Sequence, residues 1–230
     1  MKKNIPNFIT CLNLFSGCIA VYFAFQGNYA VVLLFVFIAA FFDFLDGLMA
    51  RLFNVPSALG KELDSLSDVV SFGLTPGAIA FSLLQQTNLP FWLAFTGFLL
   101  PIFSALRLAK FNLDTRQTNY FLGLPTPAHT IFWAGLSYSF SFFFIENYWI
   151  TLILIVLFSG LLVSEIPMFS LKFKTLRWEG NEIQYIFILV SIVLFAVFLL
   201  DSFSLIICWY ILLSLLTPKF LKNNFLIIIF

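Results

Sequence analysis

Apolar residues along this chain come in runs close to the roughly 20 residues that cross a bilayer as an α-helix, and short polar breaks separate them. The pattern predicts eight membrane-spanning helices, at about 7–25, 29–53, 58–86, 90–111, 127–145, 148–166, 183–200 and 202–216. None of these runs alternates with the period of two that a membrane barrel requires, so the expected class is an all-α polytopic membrane protein. In the first run Asn7, Thr10, Asn13 and Gly17 recur at three- and four-residue steps and mark one inward face, suited to helix–helix hydrogen bonds or to substrate. Gly27-Asn28 and Asn54-Val55-Pro56-Ser57 read as breaks. Gly73 and Gly77, with Pro76 between them, predict a close and kinked helix crossing. The polar stretch after the fourth run contains the turn-forming G-L-P-T-P of residues 123–127, and the single histidine, His129, follows it as an expected hydrogen-bonded interface residue.

Composition agrees with the pattern. Hydrophobic residues make up 61% of the chain and charged ones 10%, with a mean hydropathy of +1.02, which leaves no room for a soluble domain. Cys11, Cys18 and Cys208 fit no metal or redox spacing and read as small buried apolar residues. Lys2 and Lys3 precede an apolar run, as in a signal peptide, but Asn13 and Ser16 interrupt that run and it reads as an uncleaved first span. Threading the chain through eight spans puts Lys2, Lys3, Arg51, Lys61, Arg107, Lys110, Arg116, Lys172, Lys174, Arg177, Lys219 and Lys222 on one side, and Glu146 and Asp201 on the other. The positive-inside rule makes the first side cytoplasmic, and the N-terminus with it.

Against this apolar background the stretch 43–68 stands out. Asp43 and Asp46 lie three apart near the end of the second run, and Asp64 and Asp68 lie four apart at the start of the third, so each pair shares a helix face. Carboxylates at membrane depth are costly and repel one another, and four of them converging imply cations between them. Hard oxygen donors suit Mg²⁺, Mn²⁺ or Ca²⁺. Gly47 and Ala50 keep bulk off the adjoining surface, and Arg51 offers a fork for phosphate. Near the end of the fourth run Arg107, Lys110 and Asn112 are spaced to share a face; such cations either reach to lipid headgroups or bind an anionic ligand.

The order D-x2-D-G-x2-A-R-x8-G-x3-D-x3-D, filled by Asp43, Asp46, Gly47, Ala50, Arg51, Gly60, Asp64 and Asp68, resembles the signature of the CDP-alcohol phosphatidyltransferases at every fixed position. The resemblance, carried by about the first 130 residues, implies a six-helix membrane core, usually homodimeric, that transfers a phosphatidyl group from a CDP-linked donor to an alcohol and releases CMP. It implies Asp43, Asp46, Asp64 and Asp68 as ligands of Mg²⁺ or Mn²⁺, two ions in all, and Asp68 as the base. It also implies Gly47, Ala50, Arg51, Gly60 and Asn13 as CDP contacts. The segments I-P-N-F-I-T-C-L-N, A-L-R-L-A-K-F-N and G-L-P-T-P-A are similar to those of membrane-embedded phosphatidylserine synthases, which commonly carry Arg where this chain has Lys110. That similarity implies CDP-diacylglycerol and L-serine as substrates, with Arg107, Lys110 and Asn112 on the lipid phosphate or the serine.

The expected organisation is therefore a catalytic core at 1–166, a basic cytoplasmic loop at 167–182 and two additional spans with a tail at 183–230, in a bacterial-type cytoplasmic membrane. The active site opens on the cytoplasmic side, and no nucleic-acid partner is expected. A related transferase acting on glycerol 3-phosphate or inositol phosphate stays open, although such acceptors call for a denser basic pocket. A cation transporter is the reading from another class, but it calls for polar groups across the whole bilayer, whereas the outer halves here are almost wholly apolar.

Overall fold

The computed structural model describes residues 4–55, 57–114, 120–171 and 177–227. In chain order its elements are α1 (Ile5–Phe25), α2 (Tyr29–Leu52), α3 (Ala58–Asp68), a π-helical turn (Val69–Leu74), α4 (Thr75–Gln85), α5 (Phe91–Ala94), a 3₁₀ turn (Phe95–Phe98) and α6 (Leu99–Leu113). There follow β1 (Tyr120–Leu122), α7 (Thr126–Glu146), α8 (Tyr148–Val163), β2 (Pro167–Phe169), α9 (Glu182–Phe198), a 3₁₀ turn (Leu199–Asp201) and α10 (Ser202–Ile227). Among the described residues five stretches are long and apolar enough to cross a membrane: Ile5–Phe25, Tyr29–Leu52, Ala58–Gln85, Phe91–Leu113 and Glu182–Leu216. The last bends at Leu199 (φ +49°), α7 is kinked at Phe140, and α8 is apolar but shorter. The protein is an all-α polytopic membrane protein.

Small and hydroxylic residues draw α1 against α3. The buried face of α1 carries Thr10, Asn13 and Gly17 of the expected stripe, with Ser16 and Ala20 beside them, while Asn7 is half-buried. A methyl group built on Gly17 would collide with Ser71 Oγ and with the Ser71 backbone, so only glycine admits this crossing. Ser67 and Ser71, one turn apart, donate to the carbonyls of Thr10 (3.2 Å) and Asn13 (3.1 Å). Such bonds contribute only about 0.6 kcal/mol each in a membrane, but together they fix the register of the two helices.

The disturbance expected around Pro76 begins earlier, as the π-helical turn directly after Asp68. Proline has no N–H to give the carbonyl four residues back, that of Phe72. The Thr130 hydroxyl of α7 donates to that carbonyl instead (2.6 Å), while the Thr75 amide reaches the Val70 carbonyl five residues back. Beyond the turn, α4 is buried on nearly all sides, and methyl groups on Gly77 and Gly97 would lie 2.7 Å from Pro101 Cδ and 2.8 Å from the Phe81 amide. The G-x3-G pattern thus seats α4 against the Phe95–Phe98 turn and α6.

The sequence pattern does not foretell the two-stranded antiparallel pairing of β1 with β2, with Phe121 opposite Met168. The segment 167–182, expected as a loop, therefore opens with a strand in which Met168 is buried. Gly123 (φ +74°) follows β1 and donates to the Ile166 carbonyl; a methyl group on it would lie 2.5 Å from the Leu162 carbonyl. This anchors the start of α7 beneath the end of α8. Two further expectations fail. Cys11, Cys18 and Cys208 are exposed on the helix surfaces, since a thiol is apolar enough to face lipid as readily as core. His129 is wholly buried with neither ring nitrogen hydrogen-bonded among the described residues, and it stacks on Phe158 at 5.6 Å.

Of the cations assigned to one side, Lys2, Lys3, Arg116, Lys172 and Lys174 lie outside the described residues, as do the side chains of Lys219 and Lys222 and the break residue Pro56.

Candidate active site

The α2–α3 connection brings Asp43 face to face with Asp64 and Asp68. Asp43, Asp64 and Asp68 each offer a carboxylate oxygen, and the three oxygens lie within 4.8 Å of one another. Three carboxylates at that separation repel strongly unless a cation sits among them, and an all-oxygen donor set of this kind fits a hard divalent ion. Asp46 is not in the group. Three residues along a helix turn a side chain by about 300°, so when Asp43 faces α3 its neighbour swings toward α1. There Asp46 Oδ2 accepts a 2.6 Å hydrogen bond from Thr10 Oγ1.

Two cavities meet at this acidic ridge. The first, about 240 Å³, is lined by Pro6, Thr10, Asp46, Gly47, Ala50, Gly60, Lys61 and Asp64, among others. Gly47 keeps it open: a methyl group there would have nothing nearer than Arg51 Nη2 at 3.9 Å. Gly60 faces it from the first turn of α3, where Ser57 Oγ accepts from the Gly60 amide (2.9 Å). Arg51 does not line this cavity; it is exposed and donates through Nε to the Gly47 carbonyl (2.9 Å). Asn13 is off the wall as well, fully buried behind Asp68, with its Nδ2 donating to Asp68 Oδ1 at 3.5 Å and its own Oδ1 unpartnered among the described residues.

The second cavity, about 200 Å³, lies on the other side of Asp64 and is lined by Asp64, Asp68, Arg107, Asn112, Phe121 and Thr126, among others. Arg107 is 6% exposed, donates through Nη1 to Thr126 Oγ1 (3.4 Å), lies over the Phe111 ring at 5.3 Å and leaves Nε without a hydrogen-bond partner among the described residues. A buried guanidinium with a free donor is prepared for an anion. Asn112 braces the wall: its Nδ2 donates to Ser65 Oγ (2.7 Å), and its carbonyl accepts from Lys61 Nζ (3.2 Å). Lys110 shares with Arg107 a smaller recess of about 40 Å³, lined also by Asp114, Ser164 and Glu165, but does not reach the second cavity. On a helix the third residue along points about 60° away, enough to leave the cavity.

The sequence suggests Lys61 only as a further cation for a basic pocket, and it does not mark Ser65, Ser67, Ser71 and Thr126 as parts of this site. Ser67 and Ser71 carry a legible i, i+4 spacing, but Lys61, Ser65 and Thr126 matter only through helices distant in sequence.

Residues 3–212 match the family model described as CDP-alcohol phosphatidyltransferase, well beyond the first 130 that carry the motif resemblance. The chain belongs to that family and is a phosphatidyltransferase. It is similar to proteins named CDP-diacylglycerol–serine O-phosphatidyltransferase: one from Helicobacter pylori (strain ATCC 700392 / 26695) is 31% identical, covering 94% of this chain and 91% of the relative. Another, from Bacillus subtilis (strain 168), is 38% identical over 54% of this chain and 69% of the relative. A third, from Methanocaldococcus jannaschii, is 30% identical over 89% and 88%.

Proposed function

We propose that this protein transfers the phosphatidyl group of CDP-diacylglycerol to the hydroxyl of L-serine, giving phosphatidylserine and CMP. The observation that carries the reading is that Asp64 belongs to two cavities at once, one walled by small motif residues and one by Arg107, with the acidic trio between them. A donor whose reacting diphosphate must lie between a nucleotide and an acceptor fits that arrangement.

Asp43, Asp64 and Asp68 would hold Mg²⁺ or Mn²⁺, two ions with Asp46 as a further ligand, and Thr10 steadies Asp46. Bound there, the ions supply positive charge against the diphosphate and the phosphate of departing CMP. The remaining work falls to the chain's own groups. Gly47, Ala50 and Gly60 let the nucleotide approach backbone, with Arg51 reaching over the rim to a phosphate oxygen and Asn13 acting through Asp68 rather than on the nucleotide. Arg107 orients the lipid phosphate or the serine carboxylate, Asn112 sets the wall, and Lys110 adds charge from the neighbouring recess. Asp68 faces the second cavity and not the first, which supports it as the base: the serine oxygen forms a bond to phosphorus, the bond to the CMP oxygen breaks, and the serine proton passes to Asp68.

We further read the protein as a homodimer with its N-terminus and site on the cytoplasmic side, residues 1–166 as the catalytic core, 167–182 as a basic loop and 183–230 as an addition to the core. Serine is favoured over glycerol 3-phosphate or inositol phosphate because Arg107 is the only cation among the described residues lining the second cavity. The test is CMP release by purified protein given CDP-diacylglycerol, Mg²⁺ or Mn²⁺ and each alcohol in turn. Release with serine, absent in Asp68→Asn, supports the reading; release with a phosphorylated acceptor and not with serine overturns it.

A further inference from the structure

A third cavity, of about 280 Å³, adjoins the second and differs from it in chemistry. Its lining includes Ala128 and Ile131 of α7, Phe187 of α9, and Ile207 and Tyr210 of α10. Phe121, Pro125 and Pro127 belong to both cavities, so the groove starts where the Arg107 cavity ends. The Tyr210 hydroxyl is committed to the Phe169 carbonyl (2.9 Å), and no charged side chain is among the described lining residues. Ile207 and Tyr210 reach the groove because α10 packs on α7: at their crossing a methyl group on Gly135 would sit 2.9 Å from the Ser204 amide. The strand pair adds Phe121 and Phe169.

We propose that this groove holds one acyl chain of the lipid donor, and that α9 and α10 are present in this chain to build it. The proposal rests on the transferase reading above. The three cavities run in the chemical order of the donor: the small-residue cavity for the nucleotide, the Asp64 ridge for the diphosphate, the Arg107 cavity for the glycerol phosphate, and the apolar groove for a hydrocarbon tail. A water-soluble acceptor such as an amino acid has no use for a groove of this kind. Moving an acyl chain from bilayer to groove exchanges one apolar medium for another, so the groove contributes little affinity. Its effect is positional: a seated tail fixes where the phosphorus lies relative to Asp68 and Arg107, which makes turnover depend on chain length.

The experiment compares CDP-diacylglycerols with six-carbon and eighteen-carbon chains on wild type, Ile207→Trp and Ala128→Leu, which fill the groove from opposite walls. The expected result is a fall of about tenfold in kcat/KM for the long-chain donor, the usual scale of an overfilled apolar site, with the short-chain donor within twofold of wild type. Equal losses for both donors, or no loss for either, overturn the proposal. In a second arm, CDP-diacylglycerol and phosphatidylcholine, each carrying a photoreactive group near the tail end, are crosslinked to wild-type protein. Labelling of peptides containing Phe187 or Ile207 by the CDP-lipid alone supports the proposal. Equal labelling by phosphatidylcholine shows general lipid occupancy and overturns it. Wild type that labels in this selective way but releases no CMP with serine would sink the serine reading and leave the groove standing.

Discussion

The two sides of the acidic ridge are built by opposite means. On the α1–α2 side the wall is made of what is missing, with Gly47, Ala50 and Gly60 exposing backbone and Thr10 holding Asp46 aside. On the α6–α7 side it is made of long side chains, with Arg107 buried over Phe111 and Asn112 tied to Ser65 and Lys61. The first side selects by shape and the second by charge, and Asp64 belongs to both. Substitutions on the two sides should therefore separate kinetically.

The largest effect is expected where the sides meet. Asp64→Asn and Asp68→Asn should each lower CMP release by about 10²–10⁴-fold, the range for losing a group that acts at the reacting centre, and chelation of divalent ions should do at least as much. Arg107→Ala comes next. Losing hydrogen bonds to a charged ligand should raise the Michaelis constant for serine or donor by about 10–100-fold with the protein still folded, and Arg107→Lys should recover only part. Normal kinetics in Arg107→Ala would erase the distinction between the two walls. On the other side, Gly47→Val should raise the Michaelis constant for the donor by about tenfold and leave that for serine unchanged, since the added methyls enter cavity space and meet no packed neighbour. The smallest effect on chemistry and the clearest on stability belongs to Gly17→Ala. It drives a methyl group into Ser71 and should cost about 1–3 kcal/mol, read as a lowered thermal midpoint in detergent.

What could be read from the sequence was whatever depends on one helix and its neighbour in the chain. The ends of α1 and α2 fall within a residue or two of the apolar runs, because membrane length and polar breaks are local properties. The convergence of Asp43 with Asp64 and Asp68 was legible for the same reason: the two helices are joined by one short turn. The turning of Asp46 toward Thr10 was not, because it depends on which face α1 covers. Neither was the pairing of Y-F-L at 120–122 with P-M-F at 167–169, since three-residue strands carry no periodic signal and their partners lie more than forty residues apart. The recess that Lys110 shares with Arg107 likewise depends on Ser164 and Glu165 at the end of α8, far along the chain from α6. The final two helices read only as extra apolar runs until α10 was found against α7.

The central claim, that Asp43, Asp64 and Asp68 share divalent ions while Asp46 plays a lesser part, is tested most directly by titrating purified protein with Mn²⁺ and following the free ion by electron paramagnetic resonance. The account predicts that Asp43→Asn, Asp64→Asn and Asp68→Asn each weaken Mn²⁺ binding severely and that Asp46→Asn weakens it least. Wild-type affinity in any of the first three, or the greatest loss in Asp46→Asn, would contradict it.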